Sequence, residues 1–110
     1  MLNQIVIVGK VVDLPEIKKT VNGTKIGNVG ILLNRPFKNS EGYYDTDYLS
    51  ITLWKGIAET VSEVCRVNDV LAIKGRIQTS DYTKDDIVYH NYDIIAEKVS
   101  FISSELAAKK

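Results

Sequence analysis

Aromatic and polar side chains alternate with aliphatic ones from Thr46 to Trp54, where the chain reads Thr-Asp-Tyr-Leu-Ser-Ile-Thr-Leu-Trp. Because successive side chains of a strand point to opposite faces, Leu49, Ile51 and Leu53 share one face and can enter a core. The side chains that share the other face are Tyr48, Ser50, Thr52 and Trp54. The commonest use of two large rings on a polar sheet surface is as a platform on which flat rings, such as nucleobases, can stack.

Basic residues lie next to the aromatic residues that the pattern exposes. Those aromatic residues are Phe37, Tyr48, Trp54 and Tyr82, and the adjacent cations are Arg35, Lys38, Lys55 and Lys84. Two more cations, Lys74 and Arg76, share the outward face of a later predicted strand. Rings interleaved with cations are typical of surfaces that bind single-stranded nucleic acid, because rings stack on bases and cations follow the phosphates. Tyr and Trp can also cap a core with a polar tip outward, so both interpretations stay open.

The bulk composition is that of one compact domain. The 110 residues are 45% hydrophobic and include fourteen basic and fourteen acidic side chains, so the formal net charge is zero. A neutral total counts mildly against nucleic-acid binding, although a local stripe can still be basic. No apolar run approaches the roughly 20 residues of a membrane span, and the N-terminus does not read as a signal peptide. The single cysteine, Cys65, cannot form an internal disulfide and favours the cytoplasm.

Catalytic chemistry has little support in the sequence. The only histidine, His90, lies in a predicted strand, and Cys65 lies near the apolar side of a predicted helix. Neither residue belongs to a nucleophile motif, a phosphate-binding glycine loop or a set with metal-ligand spacing. We therefore predict a binding protein that is not an enzyme and needs no metal or cofactor.

The elements that must position these residues are three strands, a helix and two further strands. The predicted strands cover residues 2–12, 25–34, 46–54, 70–79 and 87–101, and the helix covers 56–67. Shorter features are an extended piece at 16–20, a hairpin turn at 21–24, a polar loop at 35–45 and a hairpin tip at 82–86. This order is that of an all-β OB-fold, a five-stranded Greek-key barrel with one short helix between strands three and four. We expect one domain over residues 1–102 and a short flexible end at 103–110.

Three local predictions accompany this order. Both faces of the first strand are apolar, which favours packing against a partner chain, and Gly9 suggests a bulge or bend in it. In the helix, Ile57, Val61 and Val64 recur at helical spacing and should face the core. In the fourth strand, the side chains expected to point inward are Leu71, Ile73 and Ile77.

Several segments resemble bacterial and phage single-stranded DNA-binding proteins, the SSB family. The segments are Met1–Gly9, Asp13–Glu16, Asn22–Gly23, Thr46–Trp54, Ala58–Glu59, Val70–Thr79 and Val88–Phe101. Their joint order and spacing resemble the family from residue 1 to about residue 102. One departure lies after the third strand, where the usual Phe-Gly-Lys of the family is Trp54-Lys55-Gly56.

The resemblance implies an OB-fold that assembles as a homotetramer in which strand 2–12 pairs subunits. It implies base stacking at Phe37, Tyr48, Trp54 and Tyr82, and binding of single-stranded DNA without strong sequence preference. Such a protein would act in replication, recombination and repair, in the cytoplasm at the nucleoid. Family members commonly end in an acidic tip that recruits replication proteins. Residues 103–110 do not resemble that tip, so the resemblance does not extend to recruitment of replication proteins.

Two alternative functions remain open at this point. A PriB-like primosomal replication-restart protein would share the fold but work as a dimer, so the mass in solution would separate the two. An OB-fold used only for protein–protein contact is the other alternative, and the zero net charge is compatible with it. Fluorescence of the single tryptophan should decide this second question, because a base stacked on Trp54 would quench it.

Overall fold

The computed structural model describes residues 1–103. The strands are β1 (Ile5–Asp13), β2 (Lys18–Lys19), β3 (Lys25–Lys38), β4 (Tyr44–Trp54), β5 (Val70–Lys84) and β6 (Ile87–Ser103). A single helix, α1 (Lys55–Val64), follows β4 directly. No helix within residues 1–103 has the length and apolar character to cross a membrane.

Five of the strands close into a barrel. β1 pairs antiparallel with both β3 and β5, β5 pairs antiparallel with β6, and β3 pairs antiparallel with β4. A short parallel pairing between β4 and β6 completes the circle, and the two-residue β2 extends the sheet beside β3. The structure thus confirms the predicted five-stranded OB-fold with one helix between its third and fourth barrel strands.

The barrel interior is filled by the aliphatic face of each strand. The buried strand residues include Ile7, Val11, Val29, Ile31, Ile51, Leu53, Leu71 and Ile73. In β4, Ile51 and Leu53 are fully buried and Leu49 is half-buried, whereas the side chains that alternate with them face outward. The alternation predicted for residues 46–54 is therefore confirmed, and it fixes the rings of β4 on the outer wall.

Of the bulge or bend predicted at Gly9, the bulge is wrong. β1 pairs regularly with β5 through Gly9, whose Cβ, if present, would lie 2.5 Å from Ile31 Cγ2 and 2.8 Å from the carbonyl oxygen of Leu32. Glycine is needed there because β1 and β3 approach each other closely at this residue. The register of β1 against β3 shifts between Val11 and Asp13, as in a β-bulge.

The predicted helix was three residues too long at its C-terminal end, and one of its inward residues was wrong. α1 ends at Val64, and Cys65 is already extended at φ −74° and ψ 141°. The side chains that face the core are Ala58, Val61 and Cys65, with Ile57 half-buried, while Val64 is 54% exposed. Three of these residues, Ala58, Val61 and Cys65, are spaced i, i+3 and i+7, and half-buried Ile57 packs beside them.

Two predicted connections are shorter than expected because their strands extend beyond the barrel as hairpins. β3 and β4 leave only residues 39–43 as a turn, in which Asn39 Oδ1 accepts hydrogen bonds from the backbone N–H groups of Glu41 and Tyr43. β5 and β6 leave only Asp85 and Asp86, both at positive φ, as a two-residue tip. Residues 77–93 are exposed except for half-buried Asp93, so Ile77 is not a core residue, contrary to the prediction.

Candidate nucleic-acid interface

Three aromatic rings lie along the outer face of β4. We call the outward side chains of this strand the β4 outer row; they are Tyr44, Thr46, Tyr48, Ser50, Thr52 and Trp54. Tyr44, Tyr48 and Trp54 are 55%, 54% and 36% exposed. Tyr44 was not among the predicted residues because it fell in the predicted loop. Its signal was the same two-residue alternation, which continues from Tyr48 back to Tyr44.

Tyr48 lies against the barrel wall. Its hydroxyl donates a hydrogen bond of 2.7 Å to Asp13 Oδ2 on β1, across the intervening strand β3. This bond stabilises the neutral phenol and, with desolvation, raises the pKa of Tyr48 above its ordinary value. The ring position is therefore fixed at both ends, by the backbone of β4 and by the carboxylate of β1.

Cations surround the β4 outer row. Lys38 lies opposite Tyr44, with its Nζ 5.9 Å from the ring centroid, within the range of a cation–π contact. Lys55 follows Trp54 and has a φ of 54°, a conformation that costs a non-glycine residue energy. Lys10 lies opposite Leu32 of β3, and Leu32 lies opposite Tyr48, so Lys10 is two strands away from Tyr48 on the same face of the sheet. The sequence did not indicate Lys10 because strand pairing, which brings it there, cannot be read from alternation.

Arg35 is held by carboxylates. Its guanidinium donates hydrogen bonds to both Asp47 oxygens at 3.0–3.3 Å and lies 3.7 Å from Asp45 Oδ2. The hydrogen bond between them raises the pKa of Arg35 and lowers that of Asp47. Asp45 and Asp47 alternate with the ring-bearing residues, so this ion pair lies on the opposite face of the hairpin. Phe37, on the same hairpin, is exposed.

A second group of predicted residues lies on the hairpin formed by the outer halves of β5 and β6, which we call the β5–β6 arm. Arg76, Tyr82 and Lys84 share one face of β5, because they are separated by even numbers of residues in a strand without internal bulges. Tyr82 stacks on Tyr89 of β6, with ring centroids 5.0 Å apart and an interplanar angle of 15°. Tyr89 was missed because only the cross-strand register identifies it.

Arg76 connects the arm to the β4 outer row. It lies opposite Ile95 of β6, which is in turn opposite Thr52 of the row. Its guanidinium contacts Glu97 Oε2 at 3.4 Å and Gln78 Oε1 at 3.2 Å. This cation is therefore near the row but partly neutralised.

Lys74 lies two residues before Arg76 on the same strand. It lies opposite Val6 of β1 and Lys98 of β6, on the wall formed by the first strand. Lys74 and Arg76 share the outward face of β5, as predicted, because the register shift between Lys74 and Gly75 places the extra residue, Glu97, in β6 and leaves the alternation of β5 intact. The structure therefore brings eight of the ten predicted residues to the two hairpins and β4, places Lys55 at the start of α1, and leaves Lys74 on the β1 wall.

The groups considered for catalysis do not form a reactive centre. Cys65 is buried, and desolvation, with a smaller contribution from Asp69, raises the pKa of its thiol to about 11. A thiol with that pKa is almost entirely protonated at neutral pH and is a poor nucleophile. His90 Nδ1 lies 2.6 Å from Asp81 Oδ1 on the exposed arm. Within residues 1–103, no group of three or more His, Cys, Asp and Glu side chains could hold a metal ion.

Comparison with known families agrees with this fold and surface. A sequence model described as the single-strand binding protein family matches residues 2–102, and the chain belongs to that family. It is 32% identical over 103 residues to single-stranded DNA-binding protein B of Bacillus subtilis, covering 93% of this chain and 91% of that protein. It is 33% identical over 107 residues to single-stranded DNA-binding protein 3 of Listeria innocua, covering 96% of this chain and 66% of that protein.

Solved structures agree on the fold. A deletion mutant of the single-stranded DNA binding protein from Thermus aquaticus superposes with a TM-score of 0.78 at 19% identity, over 94% of this chain and 52% of that one. The Plasmodium falciparum SSB in complex with ssDNA superposes with a TM-score of 0.78 at 20% identity, over 94% and 96% of the two chains.

The family and OB-fold expected from the sequence are thus confirmed, and with them the prediction of a single-stranded DNA-binding protein. The relatives named above are DNA-binding proteins, which supports the expectation of a binding protein at the level of the family. The chain spans about two thirds of the length of some of these relatives, since it covers 66% of the Listeria innocua protein and 66% of a relative from Oceanobacillus iheyensis.

Proposed function

We propose that this chain coats single-stranded DNA without strong sequence preference by stacking bases on the β4 outer row. The observation that supports this proposal most is the line of three exposed rings at Tyr44, Tyr48 and Trp54. Every base has a π-face, so stacking discriminates little among sequences, and a duplex hides those faces. The protein would protect exposed strands and prevent their re-pairing in replication, recombination and repair.

The length of the row suits an extended strand. With a rise of about 3.3 Å per residue, Tyr44 and Tyr48 are about 13 Å apart along β4, and Tyr48 and Trp54 are about 20 Å apart. Rings at these separations would contact bases at intervals, with nucleotides between them held by other contacts. Hydroxyl groups of Ser50 and Thr52 lie between the rings and can bond to bases or phosphates.

Phosphates would follow the cations that border the row. Lys55 and Lys10 make no ion pair among the residues that the structure describes, so both can neutralise phosphate. The strained backbone of Lys55 further supports a role in phosphate binding. The family usually has glycine at this position, and a lysine in this conformation costs energy. Lys74, on the β1 wall, lies outside this proposed path.

The salt dependence of affinity tests this path. For single strands, each phosphate contact contributes about −0.7 to the slope of log K against log salt concentration. We expect Lys55→Gln to make the slope shallower by about 0.7 and Lys74→Gln to leave it unchanged. Fluorescence anisotropy of labelled oligo-dT over a series of salt concentrations measures both. The reverse result would indicate that the DNA lies along the β1 wall. A slope of zero in the unmodified protein would mean that phosphate contacts contribute nothing to the affinity.

We further propose that the chain self-associates, as a homotetramer, through the outer face of β1. Val6 and Val8 on this face are 67% and 54% exposed, although β1 is fully paired within the barrel. Ala72 and Ser100 lie beside them on β5 and β6 and extend a surface of small side chains. An exposed aliphatic patch of this kind favours burial against a second copy.

Charge placed in this patch should dissociate the assembly. We expect Val8→Lys to lower the mass of the particle below that of a tetramer, because burying an unpaired ammonium group opposes association. Mass determination by light scattering measures this, with Val21→Lys as the control, since Val21 is an exposed valine in the turn before β3. An unmodified protein that is monomeric would contradict the proposal, and a dimer would favour a PriB-like assembly over the tetramer.

A further inference from the structure

The hydrogen bond between Tyr48 and Asp13 spans three strands. Asp13 lies opposite Gly30 of β3, and Gly30 lies opposite Ser50 of β4, the outward residue next to Tyr48 in the row. Neighbouring strands are about 4.8 Å apart, so the two backbones that the bond joins are separated by about 10 Å. The phenol must therefore lie along the barrel wall to reach Asp13, instead of pointing away from it.

Gly30 provides the space for this arrangement. A Cβ at this position would lie 2.5 Å from Tyr48 Oη and 2.8 Å from both Asp13 Cβ and Asp13 Oδ2. Any larger residue would displace the phenol or the carboxylate. With glycine beneath its outer end, the ring keeps one face toward β3 and the other toward solvent, which is the geometry that a stacking base requires.

The register shift in β1 turns Asp13 toward Tyr48. Val11 is buried in the barrel, so strict alternation would direct Asp13 to the interior as well. The shift between Val11 and Asp13 pairs Asp13 with Gly30, an outward position, and the carboxylate is exposed. β-bulges commonly re-aim a side chain in this way near functional sites.

We propose that Asp13 is a positioning residue that holds the Tyr48 ring flat on the barrel wall, ready to stack on a base. This inference rests on the proposed function. A ring that is already fixed loses less conformational freedom when a base stacks on it. Ordering one side chain in advance corresponds to roughly a two- to tenfold gain in affinity.

Electrostatics makes the opposite prediction for the same residue. Asp13 is an exposed carboxylate beside the proposed path of a polyanion, so its charge repels phosphate. If charge alone mattered, Asp13→Ala would tighten DNA binding. A positioning role requires that Asp13→Ala weakens binding, and only while Tyr48 retains the hydroxyl that Asp13 accepts from.

A double-mutant cycle separates these effects. Its variants are Asp13→Ala, Tyr48→Phe, which keeps the ring and loses the donor, and the two combined. We expect Asp13→Ala to weaken oligo-dT binding two- to tenfold in the unmodified background and to leave it unchanged or tighter in the Tyr48→Phe background. Equal effects in the two backgrounds would overturn the positioning role while leaving the proposed function intact. Absence of oligo-dT binding by the unmodified protein would overturn the proposed function itself.

The hydrogen bond can also be tested without DNA. In the free protein, a pH titration of ring carbon shifts in ¹³C-labelled tyrosine reports the pKa of Tyr48. We expect a pKa above the ordinary value in the unmodified protein and a lower one in Asp13→Ala, because the bond stabilises the protonated phenol. An unchanged pKa in Asp13→Ala would contradict the bond in solution and with it the positioning role.

Discussion

Replacing both Tyr48 and Trp54 by leucine is expected to weaken oligo-dT binding by about 2–6 kcal/mol, since each stacked base contributes about 1–3 kcal/mol. The two rings are about 20 Å apart along β4, beyond the range at which substitutions usually couple. The single variants Tyr48→Leu and Trp54→Leu should therefore sum to the effect of the double variant. Anisotropy titrations of labelled oligo-dT at one fixed salt concentration measure all three.

A matched pair of controls distinguishes stacking from apolar contact. Leucine keeps much of the apolar volume but has no π-face, whereas Tyr48→Phe and Trp54→Phe each keep a ring. We expect the phenylalanine variants to retain more affinity than the leucine variants at both positions. Equal losses for leucine and phenylalanine would argue against base stacking, and full affinity in the folded double-leucine variant would place the DNA on another surface.

The second large effect is expected at Ile51, which lies on the same strand as the rings but faces the barrel interior. Ile51 is fully buried, so Ile51→Ala removes apolar contacts and leaves a cavity in the core. Substitutions of this kind typically lower the free energy of unfolding by about 2–5 kcal/mol. Urea denaturation followed by circular dichroism measures the change, at one fixed protein concentration because assembly also affects stability.

The neighbouring residue provides the control. Ser50 is exposed on the outer face of β4, so Ser50→Ala should change the free energy of unfolding by no more than about 0.5 kcal/mol. A small effect at Ile51 together with a large effect at Ser50 would mean that β4 presents the opposite face to the core. That outcome would bury the rings and remove the basis for the proposed interface.

The sequence was sufficient to predict the barrel and the orientation of β4. Alternation between Leu49, Ile51, Leu53 and their polar neighbours is a local property, and burial of one face determines it. The helix was also predicted in the right place, and Val61 and half-buried Ile57 face the core as expected, but Val64 does not. Ala58 is fully buried, and which helix residues become buried depends on how α1 packs on the barrel.

Features that depend on pairing between distant strands could not be predicted. Lys10 lies beside Tyr48 because both residues are opposite Leu32 of β3. Tyr89 stacks on Tyr82 because the two residues are opposite each other in the β5–β6 arm. Asp13 reaches Tyr48 only because a register shift reverses its direction. Alternation along one segment contains no information on which residues lie opposite each other.

The intrinsic fluorescence of Trp54 provides the most direct test of the account, because this residue is the only tryptophan in the chain and lies in the β4 outer row. During titration with unlabelled oligo-dT, we expect saturable quenching whose midpoint matches the midpoint of binding measured by anisotropy. Binding by anisotropy with no change in the fluorescence of this indole would contradict stacking on β4.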